Sequence, residues 1–498
     1  MIRSLAALAS CVAAAPLLLA QGGPAGRVEA ADVQLQFADL LLADARYPEA
    51  ADAYRRALSS APHGARAGTG LVITHLRRGS FPDAHRDASE LRARYPDSPA
   101  VAAVHGDALW AFGHFDDAEA AYEVALDADP LHARARHGRA RGLAARSRLE
   151  EGAREARESL RLNPRDPDVH YTLAAILVRM HRFDEAALAF RSYVNLLPNR
   201  DASEKAAWAR AEIRFLDSFK GRTPVEIAAT DLDRAWRLPI RIEGDKALVR
   251  ARVNGGPAQD FILDTGAEQT VISRDEARRR GVVPITYVQT AGVGEVGMRG
   301  LQVGRLDTLE IGGLKIRHVP CLIKNPPLSG LPGREPESLS PLALGLSMRV
   351  DYARRELLIS RRLPADERGT ELPLRMHRLA MVMGKVNDLH TAFVVDTGGE
   401  VISISQSTAG IIQPSPAFRR IPLKVYGTSG WDKDAFLMPG VDLAFSSIKI
   451  ERTPVVVLNL NAPSVLLGLQ LGGIVGHRFL SKYTLAIDLE RSVVRLNP

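Results

Sequence analysis

Cysteine is nearly absent from this 498-residue chain, which holds only Cys11 and Cys321. If an N-terminal leader carrying Cys11 is removed, Cys321 stands alone. No internal disulfide can then form, and the fold must rest on packing even in an oxidising compartment. Lysine is scarce too: ten of the 65 basic residues are lysine and the rest are arginine. The arginines are scattered with no dense basic block and the net charge is only +7, which argues against a nucleic-acid surface. After the N-terminus no apolar run is long enough to cross a bilayer. The histidines, His75, His105, His132, His137 and His170 among them, fall into no metal-ligand spacing, and no metal or organic cofactor is implied.

What is present is ordered. The first residues, MIRSLAALASCVAAAPLLLAQGGPAG, place one arginine before a short apolar stretch and then small residues. This predicts a cleaved secretory leader over residues 1–25, hence an exported protein, periplasmic or extracellular, of bacterial type. The remaining length is too great for one core.

Prolines recur at Pro62, Pro96, Pro130, Pro164 and Pro198, one every 34 residues. Fifteen positions before each stands Tyr47, Phe81, Phe115, Leu149 or Phe183, followed three residues later by Ala50, Ala84, Ala118, Gly152 or Ala186. A small residue at that place lets two helices approach, a bulky one fills the groove between repeats, and a proline closes the second helix. The pattern resembles the tetratricopeptide repeat family. It implies an all-α solenoid over residues 31–220, ending in a capping helix, with a concave face for a peptide or protein partner. Gly152 and Ala156 make the fourth repeat the expected loose point. Residues 221–235 read as a linker.

From Trp236 the period shortens to that of β-strands. The region also repeats itself. LPIRI from Leu238 aligns with LPLRM from Leu372, and FILDTGAEQTVIS from Phe261 with FVVDTGGEVISIS from Phe393. RVDYARRELLI from Arg349 aligns with AIDLERSVVRL from Ala486. Two Asp-Thr-Gly loops in one duplicated frame resemble the aspartic proteases of the pepsin and retropepsin superfamily. The resemblance implies two all-β lobes, residues 236–365 and 366–498, each supplying one catalytic aspartate, Asp264 and Asp396. Amide hydrolysis needs an activated water and a proton for the leaving nitrogen, and two carboxylates sharing one proton provide both. Thr265 and Thr397 would tie the loops together, and Gly266 and Gly398 would let backbone amides approach the carboxylates. Ala267 and Gly399 stand where the family usually has a hydroxyl, which predicts a raised dyad pKa and a mildly acidic optimum.

In that family an apolar-apolar-Gly segment braces each loop. Ile474-Val475-Gly476 fits the second, and Ala343-Leu344-Gly345 is the best match for the first, with the helix that should follow it lost or rebuilt. AGVGEVGMRG contains a literal G-x-G-x-x-G at Gly292, Gly294 and Gly297. A dinucleotide loop would need a helix after it, whereas strand-like sequence follows. The better reading is a glycine-tipped flap at Gly292, Val293 and Gly294, with a second at Tyr426 and Gly427. Asp351 and Asp488 match each other in the duplication and are given no chemistry. RDEARRRG from Arg274 reads as a solvated helix. The whole implies an exported aspartic endopeptidase whose repeats recruit protein. The alternative is a non-catalytic peptide-binding adaptor.

Overall fold

The computed structural model describes residues 24–58, 64–294, 298–324, 337–366, 368–412, 420–427 and 430–498. The leader expected at residues 1–25 lies almost wholly outside them. The chain divides into two compact units, residues 1–139 and 140–498.

In the first unit helices alternate as the 34-residue period requires. Helices Tyr47–Leu58, Phe81–Arg94 and Phe115–Ala128 each begin at the bulky residue of the repeat. The last two end two residues before Pro96 and Pro130. Ala50, Ala84 and Ala118 are fully buried, so the helices touch along their small-residue stripe. Tyr54 donates to Asp39 at 2.6 Å and Arg66 to Asp39 at 2.7 Å. The trio recurs two periods later, with Tyr122 donating to Asp107 at 2.9 Å and Arg134 to Asp107 at 2.7 Å.

The second unit begins with helices of the same pattern, Leu149–Leu162, Pro167–Arg179 and Phe183–Leu196, capped by Glu204–Asp217. A Cβ on Gly152 would lie 2.9 Å from the Ala140 carbonyl, so the glycine permits a backbone approach that a larger residue would block. Phe183, Tyr193, Phe215 and Phe219 share one core with Val271, Val288, Val303 and Leu322 of the β region. Within residues 221–235, Glu226–Ile227 forms a short strand paired with Leu314–Ile323.

The β region is built twice. In the first copy strands Trp236–Glu243, Lys246–Val253 and Gln259–Leu263 run antiparallel, and Leu263 leads into the first Asp-Thr-Gly loop. In the second copy Leu379–Val386 and Leu389–Val395 do the same for the second loop. The copies join where Ser347–Asp351 pairs antiparallel with Thr484–Asp488, Arg349 opposite Ala486. These two positions also correspond in the duplication, so the pseudo-twofold axis passes through this pairing. Asp351 and Asp488 occupy matching turns, where they accept the N–H of Arg354 at 2.8 Å and of Arg491 at 3.0 Å. The chain is thus an N-terminal array of helix pairs on the tetratricopeptide pattern followed by a β-rich region.

Two expectations need correction. The helix Arg274–Arg279 is not merely solvated, because Glu276 is buried and paired with Arg279 at 2.9 Å and Arg280 at 2.7 Å. The first-lobe brace is not Ala343-Leu344-Gly345 either. Strand Glu337–Leu339 runs parallel to Gln259–Leu263, and the Leu339 carbonyl accepts the Asp264 N–H at 2.9 Å. Gly473–Val475 does the same beside Leu389–Val395, with Val475 accepting from Asp396 at 3.0 Å. Ser340 therefore takes the place of Gly476. A 3-10 turn, Leu342–Leu344, stands where helix His477–Leu480 stands in the second lobe. The short helix was shortened, not lost. The sequence misled because polar residues replaced the apolar-apolar-Gly pattern.

Candidate active site

The two Asp-Thr-Gly loops meet. Thr265 and Thr397 are buried and bonded reciprocally: Thr265 N–H donates to Thr397 Oγ1 at 3.1 Å, and Thr397 N–H to Thr265 Oγ1 at 3.0 Å. Each hydroxyl then donates to the strand of the opposite loop, Thr265 to the Val395 carbonyl at 2.6 Å and Thr397 to the Leu263 carbonyl at 2.7 Å. Four bonds cross the axis, and each hydroxyl both donates and accepts. That is the condition for a polar cluster to be rigid when buried.

The threonines seat the aspartates. A Cβ on Gly266 would fall 2.6 Å from Asp396 Cγ, and one on Gly398 would fall 2.5 Å from Asp264 Oδ1. Each carboxyl group thus lies against the bare Cα of the opposite loop, which no other residue type permits. Both aspartates are half-buried rather than sealed.

Their surroundings differ. Asp396 Oδ1 accepts two backbone N–H groups, from Gly398 at 2.8 Å and Gly399 at 2.9 Å. Asp264 Oδ1 accepts one, from Gly266 at 3.1 Å. Burial raises the Asp264 pKa well above the usual carboxylate range, and the nearby charge of Asp396 raises it further. A hydrogen bond from Ser338, the Gly266 N–H and the Lys246 ammonium oppose that rise. Sequence reasoning missed Ser338 and Lys246. Ser338 lies on the first brace, strand Glu337–Leu339, ahead of the Ala-Leu-Gly segment. Lys246 opens the second strand of the first hairpin and reaches over to donate to the Gly398 carbonyl. No local motif marks either one. Ala267 and Gly399 bring no hydroxyl; Ser338 bonds Asp264 from the brace, and the Gly399 N–H bonds Asp396.

The G-x-G-x-x-G segment joins strands Thr286–Ala291 and Met298–Ile311, which pair antiparallel with Ala291 opposite Met298. A strand follows the glycines, not a helix. The second hairpin pairs Val425–Gly427 with Gly430–Asp432, and Tyr426 packs edge-on against Trp431 at 5.3 Å. The hairpins come together. A Cβ on Gly427 would lie 2.2 Å from the Val293 carbonyl oxygen. The base of the first is held by the cap helix, where Arg214 donates to Thr286 Oγ1 at 3.1 Å.

Residues 249–348 match the family model described as aspartyl protease, an interval that includes Asp264 and ends before Asp396. Residues 35–99, 69–132, 103–167 and 137–206 match the model described as tetratricopeptide repeat. Similar solved structures include a thermophilic TPR protein of Thermus thermophilus. It is 21% identical, the match covers 37% of this chain and 98% of that one, and the TM-score is 0.32. PilF of Pseudomonas aeruginosa is 18% identical, with 39% and 86% covered and a TM-score of 0.29. Yeast Tom70 is 17% identical, with 43% and 48% covered and a TM-score of 0.30. No curated protein matches the chain. Among the described residues no helix is long and apolar enough to cross a membrane. The chain therefore carries a segment that matches the aspartyl protease model and, ahead of it, repeats that match the tetratricopeptide model.

Proposed function

We propose that this chain is an exported aspartic endopeptidase, with Asp264 and Asp396 as its dyad and residues 236–365 and 366–498 as its lobes. The observation that carries the reading is the crossed threonine grip, which presses two carboxyl groups together on a pseudo-twofold axis. Two carboxylates so placed cannot both ionise readily, so one proton is shared between them. Burial and the charge of Asp396 raise the proton affinity of Asp264, which suits it to hold that proton in this reading. Asp396, with two amides on one oxygen, takes a proton from the bound water as that water attacks the scissile carbonyl carbon. Asp264 gives its proton to the carbonyl oxygen. As the tetrahedral diol collapses, Asp396 passes its proton to the leaving nitrogen, Asp264 takes one back from a diol hydroxyl, and the C–N bond breaks. The hairpins at Gly292–Gly294 and Tyr426–Gly427 cover the peptide. The repeats recruit a protein substrate or partner.

The test is cleavage of a peptide library across pH, with and without a transition-state inhibitor of aspartic proteases. Inhibitable cleavage, fastest in mildly acidic solution, is expected. A rate maximum below about pH 3 would contradict the raised proton affinity of Asp264. Peptide binding with no cleavage of any library member and no inhibitor binding would leave the adaptor reading in its place.

A further inference from the structure

Each lobe's first hairpin turn carries a charged residue with left-handed backbone, and each reaches the opposite lobe. In the first lobe it is Asp245 (φ 56°), and in the second it is Arg378 (φ 58°). Asp245 accepts from Arg478 Nε at 3.0 Å, and the N–H of Arg478 donates to Glu400 just past the second Asp-Thr-Gly loop. Arg378 donates through Nε and Nη2 to Glu268 Oε2, at 2.9 and 2.6 Å, four residues past Asp264. Both turns carry a cross-lobe pin, with opposite charge at the turn and with partners on different elements. The two pins differ in depth: the side chains of the first are 61% and 50% exposed, those of the second 23% and 31%. Burial makes the second the stronger constraint, because breaking it strands a charge away from water.

The deeper pin is also held from the helical side. The Tyr171 hydroxyl, on helix Pro167–Arg179, accepts from the Arg378 guanidinium, and Glu212 of the cap helix lies within its electrostatic reach. Arg179 on the same helix as Tyr171 donates to the Met376 carbonyl at 3.1 Å. The next residue on the same strand, His377, bonds the Leu467 carbonyl through Nε2 at 2.9 Å. The turn is therefore fixed before it grips Glu268.

We propose that Arg378 is a positioning residue for Asp264: the last repeat holds its turn, and through Glu268 it sets the loop that carries the aspartate. The helices then tune the dyad as well as recruit for it, and a partner that strains this end of the array alters the rate. The kinetic part rests on the endopeptidase reading. The positional part does not.

Amide hydrogen exchange on the full chain separates the two. Arg378→Met should raise exchange of residues 262–270 by about tenfold or more while leaving residues 394–400 near wild type. Tyr171→Phe keeps the ion pair and should raise it a few-fold. In cleavage assays Arg378→Met should lower kcat by about tenfold with little change in KM, since the bound peptide is untouched. The charge-exchanged double variant, Arg378→Glu with Glu268→Arg, should recover part of that loss. Unchanged exchange at 262–270 in folded Arg378→Met overturns the proposal, as does an equal rise in both loops. If Arg378→Met does not fold, Tyr171→Phe and Glu268→Gln decide, and wild-type exchange in both overturns it. Exchange that responds in a protein that cleaves nothing upholds the positioning and removes the endopeptidase reading instead.

Discussion

The two Asp-Thr-Gly loops share their strands, grip and parallel brace, yet the residues around them have diverged. The second brace, Gly473 to Gly476, is apolar and small. The first, Glu337 to Ser340, carries a carboxylate and two hydroxyls in the same backbone positions. Asp264 has Ser338 and Lys246 beside it, and Asp396 has an extra amide. After a duplication, backbone geometry is fixed by hydrogen bonds that any residue can make, whereas the electrostatics of each half are free to drift. The drift has left two carboxyl groups of equal place in unequal surroundings, and burial together with the charge of Asp396 raises the proton affinity of Asp264.

The hardest way to break this comparison is to remove each carboxylate in turn. If the aspartates act as a pair, Asp264→Asn and Asp396→Asn should each lower kcat/KM by about a thousandfold or more, with circular dichroism unchanged. A variant that retained most of its rate would show that one lobe works alone. The grip offers a symmetric counterpart. Thr265→Val and Thr397→Val each remove two bonds across the axis and leave a buried carbonyl and N–H without partners. Both should cost about 2–4 kcal/mol in denaturant unfolding, and by similar amounts. Unequal costs would mean that the lobes lean on the grip differently.

Much of this was legible in the sequence, for a definite reason. Fixed spacing reports geometry. The 34-residue period places the helix pairs because the small residues at Ala50, Ala84 and Ala118 must fall between helices. The collinear duplication aligns Arg349 with Ala486, which then pair directly. What stayed hidden depends on contacts between segments distant in sequence. Ser338 acts on Asp264 from another strand, Lys246 from the first hairpin, and Arg378 on Glu268 from the other lobe. The first brace was misread for a related reason. Parallel pairing through backbone groups tolerates Glu337, Ser338 and Ser340, so a search for apolar residues stopped at a later Ala-Leu-Gly. The meeting of Val293 with Gly427 has no sequence signal at all.

The raised proton affinity of Asp264 also has a thermodynamic signature. An acid whose pKa is higher folded than unfolded binds its proton more tightly in the folded state. Its contribution to stability is therefore present below the unfolded value and lost as pH rises through the folded one. Asp264 is such a group. Wild type should accordingly lose Tm relative to Asp264→Asn as pH rises from the ordinary carboxylate range towards neutrality. The gap should close again in acid. A Tm difference that did not vary with pH over that window would mean that Asp264 ionises in the fold as easily as in the unfolded chain.

The finest contrast is between the two groups that hold the Asp264 proton affinity down. Ser338 donates a hydrogen bond to the carboxylate and Lys246 contributes charge, so both favour ionisation. Removing either should raise the proton affinity of Asp264 and move the alkaline limb of the pH–rate profile upward. Ser338→Ala should shift it by about half a unit to one unit, because a hydrogen bond to a charged group is short-ranged and little affected by salt. Lys246→Met should shift it less, and the shift should shrink between low and high ionic strength, since the lysine is only half-buried and its field is screened. Its counterpart at Leu379 in the second lobe carries no charge, so Leu379→Met should leave the limb where it is. A downward shift in Ser338→Ala would mean that this hydroxyl accepts from the protonated acid instead of donating to the carboxylate, and adds to the rise in proton affinity that burial and Asp396 cause.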